Sequence, residues 1–297
     1  MTSRTLCFGS PGSLTLRLEQ LVWKPECGDE RSFPIEDIGY VIIESPRVVI
    51  TAAVMNKLAE HNVALVICGN DHMPSAQLHA FAGHTLCAEN FAAQLSASDA
   101  VCGRAWRQIC RAKIMNQAQL AKRLGSDVWR EIERLAAEVK NGDPANCEAQ
   151  AARMYFRALA PEGFIRDRDG VWPNAALNYG YAILRAAVAR ALIGSGLMLI
   201  KGVHHHNRYN AFALADDIME PYRPFLDQYI FGKVKPFDIS ATALAHQHKA
   251  RLLQMLTCDV RLGDYSRPLG VALTYTTASL VRFFKKETDE LLLPSFA

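Results

Sequence analysis

The chain has 297 residues, half of them hydrophobic, and a formal net charge of +3. This length and composition are enough to bury a core without disulfides and predict about two domains. The small net charge excludes nucleic-acid binding through overall basicity, so such binding would require a local concentration of Arg and Lys.

The cysteines and the apolar segments predict a cytoplasmic protein with no membrane partner. None of the eight cysteines belongs to a C-x-x-C pair, which favours reduced thiols over a disulfide framework. The N-terminal residues lack the apolar core of a signal peptide, and the most apolar window, residues 181–200, contains Arg185 and Arg190. A lipid-facing span would not tolerate these charges.

The first 80 residues are predicted to be mainly extended. Leu14, Leu16 and Leu18 alternate with polar residues, and two β-branched runs, 38–45 and 62–71, end at turn residues. Both patterns are typical of strands.

One helix is expected between these strands, in TAAVMNKLAEHN. Thr51 is a suitable N-cap, and Val54, Leu58 and His61 would lie on the inner face. Beyond residue 80 the hydrophobic period becomes helical and stays helical to the C-terminus. The sequence therefore predicts an α+β fold, with a β-rich domain at 1–80 and a larger α-helical domain at 81–297.

The segment KGVHHHNRYNAFALADDIMEP, residues 201–221, places three histidines before a group of acids. On one continuous helix His205 and Glu220 would be about 22 Å apart, too far for one metal ion. NRYN is a poor helix segment and a good connector, so a second helix can return the chain toward the histidines.

The acids of that second helix are predicted to share a face. Asp217 and Glu220 are at positions i and i+3, whereas Asp216 points about 100° away. Pro221 cannot donate to the carbonyl of Asp217, so we expect the helix to loosen beside these acids.

A further carboxylate, Glu148, lies near the start of another predicted helix, for which Asp143 and Pro144 would be the N-cap and the first residue. A buried carboxylate needs a cation, an Arg or a metal. The stripe of this helix that should face the core contains Glu148, Ala152, Tyr155, Phe156 and Leu159.

One imidazole and two carboxylates suit Mg²⁺ or Mn²⁺ better than structural zinc. Such a site can polarise a phosphodiester and activate a hydroxyl for in-line attack. Taken alone, the histidines would more often form a polar loop, and residues 216–220 a solvated first turn.

Four motifs together resemble the CRISPR-associated endonuclease Cas1 family, the integrase of spacer acquisition. They are E-A-Q-A-A-R-M-Y-F from Glu148, N-A-A-L-N-Y-G-Y-A-I-L from Asn174, G-V-H-H from Gly202 and D-D-I-M-E-P-Y-R-P from Asp216. The doubled histidine, the N-x-x-N that follows and the chain length are similar to the type II branch of this family.

The resemblance implies that Glu148, His205 and Glu220 are the catalytic residues and hold Mg²⁺ or Mn²⁺. His204 and His206 remain alternatives to His205, because the histidine run leaves the ligand open by one position. Asp217 is implied as a supporting acid.

The resemblance also implies a reaction and an assembly. The β-rich domain would form a homodimer, and two dimers would surround a dimer of Cas2 and capture double-stranded prespacer DNA. Each prespacer 3′-hydroxyl would attack a phosphodiester at the CRISPR repeat, and water in its place would give nuclease activity.

Basic residues on the predicted helices are candidates for DNA phosphate contact, although an exposed amphipathic face is the better explanation for most of them. In the apolar helix that begins at Asn174, the polar residues Asn178, Tyr179 and Tyr181 fit either a hydrogen-bonded core or substrate contact. The basic candidates are Arg104, Arg107, Arg111, Lys113, Lys122, Arg123, Arg153, Arg157 and Arg223.

Two other functions compete with a DNA integrase. One is a non-catalytic DNA-binding assembly subunit of the adaptation complex, which the intact acids disfavour. The other is a metallohydrolase of small phosphate esters or RNA, although the chain has no Gly-rich phosphate loop.

Overall fold

The computed structural model describes residues 4–80, 83–167, 172–233 and 244–296. The chain divides into two compact units, Met1–Thr85 and Leu86–Ala297. The first unit is rich in strands and the second in helices, which confirms the predicted α+β class. The predicted boundary between residues 80 and 81 lies close to this division.

The described part of the first unit contains two four-stranded sheets and a helix. Its elements are β1 Arg4–Phe8, β2 Gly12–Arg17, β3 Gln20–Pro25, β4 Arg31–Pro34, β5 Ile38–Ile43, β6 Val48–Ile50, α1 Ala52–Glu60, β7 Ala64–Cys68 and β8 Pro74–Leu78. One sheet has the order β1-β5-β7-β8 and the other β4-β3-β2-β6. The first sheet is parallel except at β7 and β8, and the second is antiparallel except at β2 and β6.

Helix α1 begins and packs as its sequence predicts. The Thr51 hydroxyl accepts a hydrogen bond from the backbone N–H of Val54 at 3.4 Å. Val54 and Leu58 are completely buried in the core of this unit. The prediction for His61 is wrong, because the helix ends at Glu60 and the His61 side chain is exposed.

The prediction of Leu18 as a strand residue is also wrong. Leu18 and Glu19 form the two-residue turn between β2 and β3, with φ values of 49° and 60°. Two consecutive positive φ angles match the twist of a tight hairpin. The turn therefore leaves Leu18 90% exposed, whereas Leu14 in β2 is completely buried.

The second unit consists mainly of helices: α2 Cys87–Leu95, α3 Asp99–Arg123, α4 Trp129–Glu138, α5 Cys147–Leu159, α6 Asn174–Gly194, α7 Ala213–Met219, α8 Arg223–Asp227, α9 His246–Leu253 and α10 Leu269–Phe284. A hairpin of β9 Asp259–Leu262 and β10 Tyr265–Pro268 interrupts the predicted helical run. Each of its strands has only four residues, too few for a clear alternating pattern. Across the described ranges, the structure contains no helix with the length and apolarity needed to span a bilayer.

A buried carboxylate, Asp227, links three helices of this unit. It accepts hydrogen bonds from the hydroxyl of Tyr155 on α5 at 2.9 Å and from that of Tyr181 on α6 at 2.6 Å. Burial raises the pKa of Asp227 to about 6, although both tyrosines lower it. Tyr181 is therefore a hydrogen-bonded core residue.

Replacing Leu14 tests the assignment of the first core. We expect Leu14→Ala to lower the free energy of unfolding by about 2–5 kcal/mol, because it leaves a cavity in a packed core. Leu18→Ala, in the exposed turn of the same hairpin, should change it by less than about 0.5 kcal/mol. Urea denaturation measures both values, and equal effects would contradict the assigned register.

Asp227 should make stability depend on pH. Its folded pKa of about 6 exceeds the ordinary value of 3.8, so the folded state binds more protons between these values and stability falls as pH rises through them. Asp227→Asn removes this titration. Between about pH 4 and pH 7, the free energy of unfolding of this variant should rise relative to that of wild type by about 2 kcal/mol.

Urea denaturation at the two pH values measures this difference. Asp127→Asn is the matched control, because the Asp127 side chain is 96% exposed. A difference between Asp227→Asn and wild type that did not vary with pH would contradict the assignment.

Candidate metal centre

The candidate site lies in the helical unit, where four segments supply its side chains. Lys113 is in the middle of α3, Glu148 is in the first turn of α5, and His205 is in the non-helical segment 195–212. Glu220 begins a 3₁₀ turn, Glu220–Tyr222, that follows α7.

The carboxylate of Asp143 positions Glu148. Its two oxygens accept hydrogen bonds from the backbone N–H groups of Cys147 and Glu148, both at 2.9 Å. The predicted N-cap position is wrong, since α5 begins at Cys147 and Asn146, with φ of 54°, occupies the cap position. Asp143 nevertheless satisfies two amides at the start of the helix from a position farther upstream.

The buried face of α5 differs from the predicted stripe. Cys147, Ala151 and Tyr155 are buried, while the Glu148 side chain keeps 25% of its surface exposed. Glu148 therefore lies at the margin of the core, beside solvent. The remaining predicted stripe residues are only half-buried: Ala152, Phe156 and Leu159.

Pro221 ends helix α7 beside the acids, as the sequence predicts. The chain changes to a 3₁₀ turn at Glu220, whose backbone N–H donates to the carbonyl of Asp217. The side-chain amide of Asn116 donates to the carbonyl of Pro221 at 2.8 Å. Asp217 and Glu220 are both buried. Asp216 is half-buried and accepts a hydrogen bond from Asn210.

The Lys113 ammonium joins the two glutamates. It contacts Oε1 of Glu148 and lies 2.5 Å from Oε2 of Glu220. Because both oxygens approach one nitrogen, they are within about 6 Å of each other. The expectation that Lys113 belongs to an exposed basic face is wrong, since only 8% of its side chain is exposed.

A second cation, Arg223, supports Glu220 from α8. Its guanidinium lies 2.9 Å from Oε1 of Glu220 and 4.5 Å from the ring centroid of Tyr181. Only 26% of the Arg223 side chain is exposed. The two oxygens of Glu220 thus contact two different cations.

These contacts keep the buried groups charged. Burial raises the pKa of Glu220, but Arg223 and Lys113 outweigh it, and the pKa lies below its ordinary value. Burial lowers the pKa of Lys113, while Glu220 and Glu148 raise it to a net value above the ordinary one.

Asp217 holds the histidine segment in place through its backbone. Its carboxylate accepts hydrogen bonds from the N–H groups of Val203, His204 and His205 at 2.7, 3.0 and 3.2 Å. Gly202 permits this close approach, because a Cβ at that position would lie 2.7 Å from Oδ2 of Asp217.

The three histidines have different surroundings. His205 contacts Oδ1 of Asp217 through Nδ1 at 2.5 Å, and this hydrogen bond raises its pKa. His204 stacks on buried Trp106 with ring centroids 4.1 Å apart, and burial lowers its pKa. His206 is exposed.

The structure brings the two glutamates together but does not select the histidine. The rings of His204 and His205 lie side by side, with centroids 5.6 Å apart. Within residues 4–80, 83–167, 172–233 and 244–296, no group of three or more His, Cys, Asp or Glu side chains is arranged to hold a metal ion.

The donor chemistry nevertheless fits a divalent metal. Oε2 of Glu220 is buried and accepts no hydrogen bond, although the Lys113 ammonium lies 2.5 Å away. The contact of His205 Nδ1 with Asp217 leaves Nε2 as the ligand atom, the arrangement in which a carboxylate orients a metal-binding histidine. Two carboxylates and one imidazole match the preferences of Mg²⁺ and Mn²⁺.

Sequence reasoning missed the bridging role of Lys113. Lys113 lies two residues after exposed Arg111 on the same helix. The spacing of the basic residues does not distinguish a buried bridging lysine from an exposed arginine. The other basic candidates on α3 and α5 are exposed as expected: Arg104, Arg107, Arg111, Lys122, Arg123, Arg153 and Arg157.

Asn174 has a structural role at the start of α6. It donates to the carbonyl of Ile165 at 2.8 Å and accepts from the backbone N–H of Asp167 at 3.0 Å. Asn178 is half-buried and Tyr179 is fully buried. Their positions favour a role in packing over substrate contact.

Two solved structures share the fold of this chain. A casposase bound to integration product has a TM-score of 0.78 and 17% identity, covering 98% of this chain and 92% of that chain. A Cas6-RT-Cas1–Cas2 complex has a TM-score of 0.72 and 20% identity, covering 98% of this chain and 36% of that chain. At these identities the likeness establishes the fold alone.

Sequence comparisons establish the family. The CRISPR-associated endonuclease Cas1 of Neisseria meningitidis serogroup C is 41% identical over 228 residues, which cover 76% of this chain and 74% of the relative. A family model described as CRISPR associated protein Cas1 matches residues 6–257. On these matches, the chain belongs to the Cas1 family.

Proposed function

We propose that this protein is a divalent-metal-dependent DNA endonuclease and integrase of CRISPR adaptation. It joins the 3′-hydroxyl ends of prespacer DNA to the CRISPR repeat by transesterification. The observation that carries this proposal is the convergence of Glu148 and Glu220 on one cation, beside a histidine segment anchored by Asp217.

The names of related proteins support this activity. The Neisseria relative is named an endonuclease, and the casposase with the same fold is bound to an integration product. The other structural neighbour is a complex that contains Cas2. We infer that this chain acts on double-stranded prespacer and repeat DNA, forms a homodimer through its β-rich unit and assembles with a dimer of Cas2.

Glu148, His205 and Glu220 would hold Mg²⁺ or Mn²⁺. When bound, the metal supplies Lewis-acid polarisation of the phosphodiester and activation of the attacking hydroxyl. His204 is the alternative imidazole, because its ring lies next to that of His205, with centroids 5.6 Å apart.

The surrounding residues orient these groups and keep them charged. Asp217 fixes the His205 ring, so that Nε2 faces away from the carboxylate. Arg223 keeps Glu220 ionised and holds its Oε1. The exposed arginines of α3 and α5 are available to the DNA phosphates, which need cations at the surface.

Replacing either glutamate tests the assigned roles. We expect Glu148→Gln and Glu220→Gln to reduce prespacer joining to a repeat-bearing plasmid at least about a hundredfold, because each removes a metal ligand. Joining is measured with Cas2 present in Mn²⁺ or Mg²⁺. Glu133→Gln, at an exposed position of α4, should leave joining unchanged.

Gel-shift binding of prespacer DNA by the same variants separates catalysis from assembly. Binding within about twofold of wild type, together with lost joining, supports the catalytic role. Unchanged joining by Glu220→Gln would refute it and favour a non-catalytic assembly subunit.

The histidine ligand is tested by a matched pair of variants. We expect His205→Gln to reduce joining about a hundredfold and His204→Gln less than about tenfold, because Asp217 orients only the His205 ring. The reverse order would assign the ligand to His204. Mn²⁺ affinity, measured by calorimetry, should fall in the same order.

A further inference from the structure

The Lys113 side chain crosses the gap between the two proposed glutamate ligands. Its ammonium contacts one oxygen of each, Oε1 of Glu148 and Oε2 of Glu220. The ammonium therefore stands where a metal held by both glutamates would stand.

The charges of the two glutamates are balanced without a metal. Glu148 and Glu220 meet two cations, Lys113 and Arg223. A divalent ion added to this set would leave excess positive charge in a poorly solvated place, where repulsion is weakly screened. One cation therefore has to leave. Arg223 is also held over the Tyr181 ring, so Lys113 is the cation that leaves.

The distances between Lys113 and the glutamate oxygens also indicate that Lys113 has to leave when a metal binds. Mg²⁺ binds carboxylate oxygens at about 2.0–2.1 Å, and the Lys113 nitrogen already lies 2.5 Å from Oε2 of Glu220. The two cations would overlap. Lys113 can move away because its four-carbon stem is flexible, and the exposed part of Glu148 marks an open side of the gap.

We propose that Lys113 is an internal counterion that occupies the metal position in the metal-free protein and is expelled when Mg²⁺ or Mn²⁺ binds. This inference rests on the proposed metal site. Metal binding is then an exchange of one cation for another. The affinity of the site for the metal is therefore lower than it would be if Lys113 did not compete. Lys113 is a positioning residue that controls metal loading, and it keeps the two glutamates together until the metal arrives.

The test measures Mn²⁺ binding to the full chain by isothermal titration calorimetry. Lys113→Met keeps an unbranched apolar side chain one atom shorter and removes the charge, whereas Lys113→Arg keeps the charge. We expect Lys113→Met to bind Mn²⁺ about tenfold or more tightly than wild type, and Lys113→Arg no more tightly than wild type. Lys140→Met, at an exposed position, is the control and should bind as wild type does.

Thermal stability gives a readout that does not depend on activity. Without metal, Lys113→Met should have a lower Tm than wild type, because Glu148 and Glu220 lose their shared cation. In saturating Mn²⁺, its rise in Tm should exceed that of wild type, since tighter binding stabilises the folded state more.

The outcomes distinguish a failure of the counterion role from a failure of the proposed metal site. Equal or weaker Mn²⁺ binding by Lys113→Met would overturn the counterion role and leave the metal site in place. If neither wild type nor Lys113→Met bound Mn²⁺, the proposed metal site would be wrong, and the counterion role with it.

If Lys113→Met does not fold, chemical labelling of the wild-type protein tests whether metal binding expels Lys113. An amine-reactive reagent followed by peptide mass spectrometry reports the accessibility of Lys113. We expect its modification to become several-fold faster in Mn²⁺, while that of Lys140 stays constant. An unchanged rate at Lys113 would contradict expulsion.

Discussion

Two buried or half-buried carboxylates that share one ammonium are the constraint on which the candidate site depends. Glu148 and Glu220 repel each other, and Glu220 needs a cation because little water reaches its buried side chain. The ammonium of Lys113, on α3, contacts both carboxylates. It thereby links the start of α5 to the 3₁₀ turn after α7, which lies far away in sequence. The long helix α3 is thus both the support of the site and the source of its charge.

A second anchor organises the other half of the site. Asp217 uses both oxygens on the backbone and ring of the histidine segment, so a stretch without helix or strand acquires a fixed shape. Glu220 lies one helical turn later on the same chain segment. The position of the imidazole and that of the acid are therefore set together.

The sequence could predict features that depend on nearby residues. The Thr51 cap, the break at Pro221 and the shared face of Asp217 and Glu220 all follow from spacings of a few residues. It could not predict the role of Lys113, because burial of that lysine is decided by Glu148 and Glu220, which lie 35 and more positions away. The hairpin β9–β10 was missed because its strands are too short to show a period.

Gly202 has a consequence for how such a chain can vary between related organisms. Its neighbours, the carbonyl of His205 and a carboxylate oxygen of Asp217, would lie 2.6 and 2.7 Å from any added methyl group. Asp217 binds residues 203–205 through their backbone N–H groups. Every residue except proline has such a group. Changing a ring in this segment therefore leaves the backbone hydrogen bonds to Asp217 in place, whereas any side chain at position 202 would clash with their acceptor.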